Sequence, residues 1–396
     1  MLGRQRHSAS KLGCLLHKGG WGIRPLFASC ARALQGYHRC TVRYSESLVR
    51  TCPFHPRRLL LKRAALAAAA LWASPGVRAQ AAAATEVVLA TPGPSSSVSL
   101  IPELAVRIGA DRAEGLALRL KFVTGGGVAI REMASGNAQF GVFGVPAAMK
   151  ENLESRRLVA LAAIEDRVLL SVMVRSDLKD KVRRVEDLRG RVLGIHSNSL
   201  TSSTTGQQFL VLVLRQHGVS PESVRFVAAG QSWDTQASAM RAQVADAIVS
   251  EEPFALRLAQ EGLAFPLFRI GHPEDPRSLP GVGFLRGALI SSVGLVEGRP
   301  ELAQKMVRVV QRTLAWRRDH TPQQVVDALG LTGADALAIA EMLRQYPQQF
   351  SPDGRFSQAQ IAQTETFFGE SAGQAPEAVA YRLPSMIVDR WAGRKP

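Results

Sequence analysis

A run of hydroxyl and amide side chains is the part of this sequence best suited to binding chemistry. Residues 197–203 read Ser-Asn-Ser-Leu-Thr-Ser-Ser, and a helix is predicted to follow over 206–217. The free N–H groups and the positive dipole end at the start of a helix attract an anion. Ser and Asn also cap helices without any ligand. Because six of these seven residues are Ser, Thr or Asn, more than one cap requires, we interpret the run as an anion-binding loop.

Other loops and two long side chains complete the candidate site. The glycines of 125–127 allow close backbone approach to a ligand, and 93–97 and 144–146 are further loops predicted to follow strands. Trp233 either stacks on the apolar part of a ligand or fills an interface. Glu251 either receives an ammonium or ring N–H group or pairs with an arginine. The candidate ligand-binding residues are Ser95, Ser96, Gly125, Gly126, Gly127, Gly144, Ser197, Asn198, Ser199, Thr201, Ser202, Trp233 and Glu251.

The common catalytic motifs are missing from the sequence. There is no Gly-x-x-x-x-Gly-Lys phosphate loop, Gly-x-Gly-x-x-Gly fingerprint, His-Glu-x-x-His site or Gly-x-Ser-x-Gly elbow. His196, His217, His272 and His320 are widely spaced, and we interpret each as a surface or capping residue, although His196 borders the candidate loop. We therefore predict no catalytic residue, no metal and no cofactor, with a periplasmic hydrolase as an alternative.

The segment 57–79 has the three parts of an export signal. A basic start at 57–63, an apolar run at 64–73 and a small-x-small exit at 77–79 are what export requires. The apolar run is shorter than the roughly 20 residues that span a bilayer. The pair Arg57-Arg58 also resembles a twin-arginine signal. We predict export to the periplasm, by the Sec or the twin-arginine route.

Most of the basic charge lies upstream of the predicted cleavage site before Gln80. The formal net charge is +16, but residues 1–79 hold 14 Lys and Arg against one acidic residue, which leaves 35 basic and 32 acidic side chains, or +3, downstream. All four cysteines lie upstream too. The exported chain thus has no thiol, and the pI near 10.5 does not indicate nucleic-acid binding. A cytosolic DNA-binding protein that retains the leader is the alternative.

Strand-like and helix-like segments alternate downstream of residue 80, which indicates α/β layers with mostly parallel sheets. The order of strand, loop and helix in 86–146 repeats in 191–253, which predicts two lobes of like architecture. Strands at 169–174 and 289–296 lead into and out of the second lobe, so two crossings form a hinge. The predicted divisions are an N-terminal extension, disordered or untranslated, at 1–56, the signal at 57–79, lobe 1 at 80–175, lobe 2 at 176–284, and the lobe 1 return with C-terminal helices at 285–396.

Several short motifs occur in a fixed order between residues 86 and 320. They are Gly115-Leu116-Ala117-Leu118, Gly125-Gly126-Gly127, Met133-Ala134-Ser135-Gly136-Asn137-Ala138-Gln139-Phe140-Gly141, Val185-Glu186-Asp187-Leu188-Arg189-Gly190 and Ala245-Asp246-Ala247-Ile248. Their order and spacing resemble the nitrate/sulfonate/taurine-type (SsuA/THI5-like) substrate-binding proteins of ABC importers. The related pyrimidine-synthesis enzymes use a Cys-rich motif, which is missing downstream of residue 80.

The resemblance implies a two-lobed periplasmic-binding-protein fold of the type II-like kind, with two mostly parallel sheets, flanking helices and a hinge of two crossover strands. Such a receptor closes on a small solute and presents it to an inner-membrane permease. Together with the hydroxyl-rich loop, it predicts a monomer that binds a small organic sulfonate or carboxylate. A solute receptor of a tripartite ATP-independent importer is a neighbouring alternative.

Overall fold

The computed structural model describes residues 84–196, 203–273 and 278–395. The predicted extension (1–56), the export signal (57–79) and five candidate residues, Ser197, Asn198, Ser199, Thr201 and Ser202, lie outside the described residues. Within the described ranges, no helix is both long and apolar enough to cross a membrane.

The first part of the chain alternates strands and helices as the sequence predicts. One strand, Leu158–Glu165, is buried at every position but was not predicted, because its Ala-rich run favours a helix on local propensity. The elements are β1 (Thr85–Pro92), α1 (Ser97–Arg107), β2 (Leu116–Val123), α2 (Gly126–Ala134), β3 (Phe140–Gly144), α3 (Val145–Glu154) and β4 (Leu158–Glu165).

The middle of the chain repeats this alternation. The strand Ala264–Ile270 escaped prediction because Pro266 interrupts it, and it lies at the edge of its sheet, where a missing backbone donor is tolerated. The elements are β5 (Leu170–Arg175), β6 (Val192–Ile195), α4 (Thr205–Gln216), β7 (Arg225–Ala228), α5 (Trp233–Arg241), β8 (Ala247–Glu251), α6 (Phe254–Gln260) and β9 (Ala264–Ile270).

The last third is mainly helical. The strand predicted over 289–296 is wrong in its second half, because the strand ends at Ser292, whose hydroxyl accepts the Leu295 N–H and starts a helix. The elements are β10 (Gly287–Ser292), α7 (Val293–Gly298), α8 (Pro300–Arg318), α9 (Pro322–Leu329), α10 (Gly333–Gln345), β11 (Phe356–Ser357), α11 (Gln358–Ser371), α12 (Pro376–Ala380) and β12 (Arg394–Lys395).

Two five-stranded sheets share one plan. The first has the order β2-β1-β3-β10-β4, and the second has the order β7-β6-β8-β5-β9. In each sheet four strands run in one direction and one runs against them: β10 in the first sheet and β5 in the second. This arrangement confirms the predicted α/β fold class with mostly parallel sheets and flanking helices.

The chain crosses between the sheets twice, and each crossing delivers the antiparallel strand. The first crossing joins β4 to β5 and the second joins β9 to β10. Because β5 pairs with β8 and β9, the first crossing lies before Leu170, earlier than the expected boundary at 175. The division of the chain into lobes otherwise stays a prediction.

Each sheet has its own apolar core, and one C-terminal helix reaches both. The first cluster surrounds β1, β3, β4 and β10, and the second surrounds β5, β6 and α4. Phe367 on α11 belongs to the second cluster and stacks on Phe284 with ring centroids 4.0 Å apart. Phe368, the next residue, belongs to the first cluster. Helix α11 therefore packs across both cores next to the second crossing.

Candidate functional site

A small cavity lies between the two sheets, at the ends of strands from both. The first sheet's side contributes Pro92, Val98, Gly126, Phe143, Gly144 and Ala147. The second sheet's side contributes Leu170, His196, Thr204, Thr205, Gly206 and Gln231, and the second crossing contributes Arg286. The cavity volume is about 20 Å³, on a measure by which roughly 10–15 Å³ holds one water. The crevice beyond the carboxyl ends of α/β strands is where such folds bind ligands.

The two sides of this cleft are in contact. The Gln208 side chain donates from Nε2 to the Pro146 carbonyl at 3.1 Å. The Ser97 backbone N–H donates to the Glu252 carbonyl at 3.2 Å. Both bonds join the side of the first sheet to the side of the second.

Glycines on the first side permit this contact. A Cβ built on Gly144 would lie 2.1 Å from Thr205 Oγ1 and 2.8 Å from Thr205 Cβ, and one built on Gly93 would lie 2.3 Å from the Gln231 carbonyl oxygen. Real Cβ atoms essentially never approach a neighbour within 3.0 Å. The Gly144 backbone has φ −65° and ψ 127°, which any residue can adopt. Close approach across the cleft, rather than backbone conformation, therefore requires a glycine at 144.

Three helices begin at the cavity. Gly126 is the first residue of α2, Gly144 precedes α3, and Thr205 is the first residue of α4. Neither α2 nor α3 has a side-chain cap at its first turn. The early N–H groups of a helix have no intrahelical partner, and they carry the positive end of its dipole. At α3 the Val145 N–H already donates to the Arg286 carbonyl at 2.8 Å and Pro146 has no N–H, so α3 offers a ligand fewer N–H groups than α2.

Four buried polar atoms of the residues that line the cavity have no hydrogen-bond partner among the described residues. They are His196 Nε2, Thr205 Oγ1, Gln231 Oε1 and Arg286 Nε. Burial, together with the nearby Arg286 charge, lowers the pKa of His196 to about 3, so its imidazole is neutral at ordinary pH. A buried polar group without a partner costs about 1–3 kcal/mol. A ligand that bonds to these atoms would relieve that cost.

A buried arginine connects the two sides beneath the cavity. Arg286, just before β10, donates to Glu165 at the end of β4 and to Glu251 at the end of β8. All three side chains are almost fully buried. Glu251 also accepts from Gln231 Nε2 at 3.0 Å. The arginine charge is thus balanced by one carboxylate from each sheet.

The structure brings several of the predicted site residues together. Gly126 and Gly144 line the cavity, and a Cβ on Gly125 would touch His196 and Gln231. Gly127 lines an adjoining cavity of about 130 Å³. Glu251 pairs with Arg286 across the cleft, which is one of the two roles that the sequence left open.

Other predicted residues have local partners instead. Ser96 caps α1 in a reciprocal pair with Ser99, and the Ser95 N–H bonds to Glu103. The Trp233 ring lies under the Arg257 guanidinium, 3.7 Å from the ring centroid, and packs on the second sheet. None of these side chains lines the cavity.

Glu252, the neighbour of Glu251, also points away from the cavity. Its carboxylate accepts the Leu256 N–H at 3.0 Å and lies 3.7 Å from His272 Nε2. Burial raises the pKa of Glu252 to about 7. We assign it to the start of α6 rather than to the ligand.

Sequence reasoning missed the side chains that line the second side. His196 was interpreted as a surface or capping residue, and Thr205, Gln231 and Arg286 were not singled out. A signal for Arg286 was present, since it is a lone charge inside the apolar run 284–290. A charge in such a run is stable only when it is paired.

The comparisons with known proteins agree with this geometry. The family model NMT1/THI5 like matches residues 112–324, more than half of the chain, and the chain belongs to this family. No curated protein matches the chain significantly.

Solved structures share the fold at low sequence identity. A protein from Bordetella bronchiseptica RB50 is 19% identical with TM-score 0.69, over 78% of this chain and 96% of that one. The alkanesulfonate-binding protein SsuA from Xanthomonas axonopodis pv. citri, bound to MOPS, is 16% identical with TM-score 0.58, over 77% and 98%. The periplasmic nitrate-binding protein NrtA from Synechocystis PCC 6803 is 11% identical with TM-score 0.58, over 77% and 86%. Such likeness identifies the chain's fold as that of periplasmic binding proteins.

Proposed function

We propose that this protein is a periplasmic receptor that captures a small organic oxyanion, a sulfonate or carboxylate, by hinge closure and delivers it to the membrane permease of an ABC importer. The observation that carries this proposal is the meeting of three helix starts, α2, α3 and α4, at one buried cavity. Helix N-termini bind anions through their free N–H groups and dipoles.

The polar atoms of the second side suit the same head group. Thr205 donates its hydroxyl to an oxyanion oxygen, and neutral His196 donates when its proton is on the ring nitrogen that faces the ligand. The small cavity, at about 20 Å³, holds little more than one water, so the ligand would also occupy the adjoining cavity of about 130 Å³ beside Gly127.

Hinge closure follows from where the ligand contacts lie. An oxyanion bonded to both sides stabilises the closed state relative to the open one, because the contacts to both sides exist only when the cleft is shut. Moving a two-state equilibrium from 1:99 to 99:1 requires about 5.5 kcal/mol of differential binding. Four or five charge-assisted hydrogen bonds, at roughly 1.5–3 kcal/mol each, are sufficient.

One observation favours a different ligand class. Arg286 is bonded to two carboxylates, Glu165 and Glu251, so acidic groups outnumber the arginine beside the cavity. A cationic ligand would be attracted by that excess of carboxylates. Which class of ligand binds then depends on how close the ligand lies to the helix N-termini, and not on the charge of Arg286.

A matched ligand screen tests the proposal. The purified protein beginning at Gln80 is heated with ethanesulfonate or propionate, with the neutral isosteres ethyl methyl sulfone or propionamide, and with ethylamine. We expect only the oxyanions to raise the melting temperature, by the equivalent of about 2.7 kcal/mol at 100 times Kd. A rise with the amine or with a neutral heterocycle alone would show that the ligand is not an oxyanion. Recovery of unaltered ligand after long incubation separates a receptor from a hydrolase.

Replacing Thr205 by Val measures how much the Thr205 hydroxyl contributes to the affinity for the ligand. Thr205→Val keeps the shape of the residue and removes the hydroxyl that has no protein partner. We expect affinity for the best oxyanion to fall about tenfold, or about 1.4 kcal/mol, in isothermal titration. Thr366→Val, which removes a hydroxyl bonded to Ala362 on exposed α11, is the control and leaves affinity unchanged. Equal affinity in both variants would exclude Thr205 from the ligand.

A further inference from the structure

A second, larger cavity shares no lining residue with the cavity in the cleft. It has a volume of about 530 Å³ and is formed by the C-terminal end of α8, the loop 347–352, the first crossing and the end of the chain. Four basic side chains line it: Arg167, Arg317, Arg318 and Lys395. We call this cavity the basic groove.

Two of these four charges are balanced by carboxylates and two are not. Lys395 Nζ lies 2.7 Å from Asp166 Oδ2, and Arg318 Nε lies 2.8 Å from Asp319 Oδ1. Arg167 and Arg317 form no ion pair with any described residue. The basic groove therefore has two uncompensated guanidinium groups.

Arg317 is the more unusual of the pair, because it is partly buried. Two of its N–H groups donate to the Pro347 carbonyl at 2.9 Å, and a guanidinium has five. Its guanidinium carbon, Cζ, lies 5.3 Å from the centroid of the Phe350 ring. Burial lowers the pKa of Arg317. A half-buried guanidinium whose only described partners are a carbonyl and an aromatic ring has capacity for an anion.

We propose that the basic groove is a second binding site, for a small dianion with an apolar body, of the phosphate monoester class. Arg167 and Arg317 match the two charges, and guanidinium groups bind phosphate oxygens in a bidentate manner. Phe350, Pro347 and Pro352 form the apolar wall for the organic part. The cleft has no comparable pair of uncompensated cations among its described residues.

The basic groove is connected to the cleft through the first crossing. The backbone N–H groups of Asp166 and Arg167 both donate to the Gln349 carbonyl, at 2.8 and 3.0 Å. The Gln349 side chain in turn donates to Glu165 at 3.4 Å, and Glu165 pairs with Arg286. A dianion bound in the groove therefore contacts the segment about which the cleft closes.

Calorimetric titration with phenyl phosphate tests the site, using variants that separate the groove from the cleft. Arg167→Gln removes one uncompensated charge of the groove, and Arg225→Gln, on the edge strand β7, makes the same change elsewhere. Gly144→Val obstructs closure of the cleft. We expect phenyl phosphate to bind the Gly144→Val and Arg225→Gln proteins like the unmodified one, and to bind Arg167→Gln at least tenfold more weakly. Benzenesulfonate, with the same ring and one charge, should bind the Gly144→Val protein at least tenfold more weakly than phenyl phosphate.

Two results would overturn this assignment. Unchanged affinity in Arg167→Gln would show that the basic groove does not bind phenyl phosphate. Loss of phenyl phosphate binding in Gly144→Val would show that this ligand binds in the cleft. The half-buried Arg167 side chain makes no described contact that the fold requires, so equal melting temperatures of the Arg167→Gln and unmodified proteins are expected. Failure of the oxyanion screen leaves this test unaffected, because phenyl phosphate is measured with the cleft obstructed.

Discussion

The two sides of the cleft contribute different chemical groups, backbone on one side and side chains on the other. The first side presents backbone: Gly93, Gly125 and Gly144 face the second sheet, and Gly126 lines the cavity. The second side presents side chains: His196, Thr205 and Gln231 have polar atoms without described partners. The difference shows that one side provides close approach and N–H groups, while the other side determines which chemical groups are recognised.

A glycine side and a side-chain side should respond differently to substitution. A larger residue on the glycine side obstructs closure for every ligand, whereas a changed residue on the other side alters which ligand is preferred. Arg286, which connects both sides, should affect folding as well as binding. The following variants separate these effects.

The largest effect is expected from changing Arg286, which connects the two sides. Arg286→Met leaves Glu165 and Glu251 buried without their cation, and breaking a buried pair costs about 3–5 kcal/mol. Chemical denaturation should show that loss in the free energy of unfolding. The triple variant Arg286→Met, Glu165→Gln, Glu251→Gln removes the orphaned charges and should recover most of it. A loss below about 1 kcal/mol in Arg286→Met would mean that the pair does not support the fold.

The next effect is expected on the glycine side. Gly144→Val places methyl groups where Thr205 lies, so the closed state is lost while each sheet remains intact. Affinity for any cleft ligand should fall at least about 100-fold, or about 2.7 kcal/mol, in isothermal titration.

Gly294→Val is the matched control for this substitution. A Cβ at Gly294, in the first turn of α7, meets nothing within 4 Å, so affinity should not change. A Gly144→Val protein that binds normally would show that ligand capture does not use the closed contact described above.

The smallest effect is expected from the side-chain side, and it depends on pH. The folded pKa of His196, about 3, lies below its ordinary value of 6.5, so the unfolded chain takes up a proton first as the pH falls. The stability from this group is complete above pH 6.5 and is lost between pH 6.5 and 3. By pH 5 the loss is about 2 kcal/mol. His196→Gln should lose about 2 kcal/mol less than the unmodified protein between pH 7 and 5, measured by urea unfolding, and equal losses would contradict the buried neutral imidazole.

The sequence predicted the fold better than it predicted the site. Strands such as β1 and β5 were recognisable because their β-branched and apolar runs are local signals. Two of the missed strands, β4 and β9, have an Ala-rich run and an internal Pro, and sheet pairing overrides both preferences. Local propensity therefore fails where tertiary pairing decides the structure.

The site was only partly predictable for a related reason. The glycines of the first side were recognisable because close approach requires that residue type. The side chains of the second side were not, since Thr205 and Gln231 have the composition of ordinary caps and loops. Arg286 reaches Glu165 and Glu251 from more than 30 positions away along the chain, and a single sequence does not show such pairings.

The position of β10 determines which of the two sheets can finish forming first during synthesis. It lies between β3 and β4, so β4 has no neighbour in the first sheet until residues 287–292 have been made. The second sheet is complete at Ile270, where β9 ends. The sheet that begins first during synthesis is thus the last to close. A nascent chain that stops before Gly287 exposes the apolar faces of β3 and β4, and its folding depends on long-range pairing, which is slow.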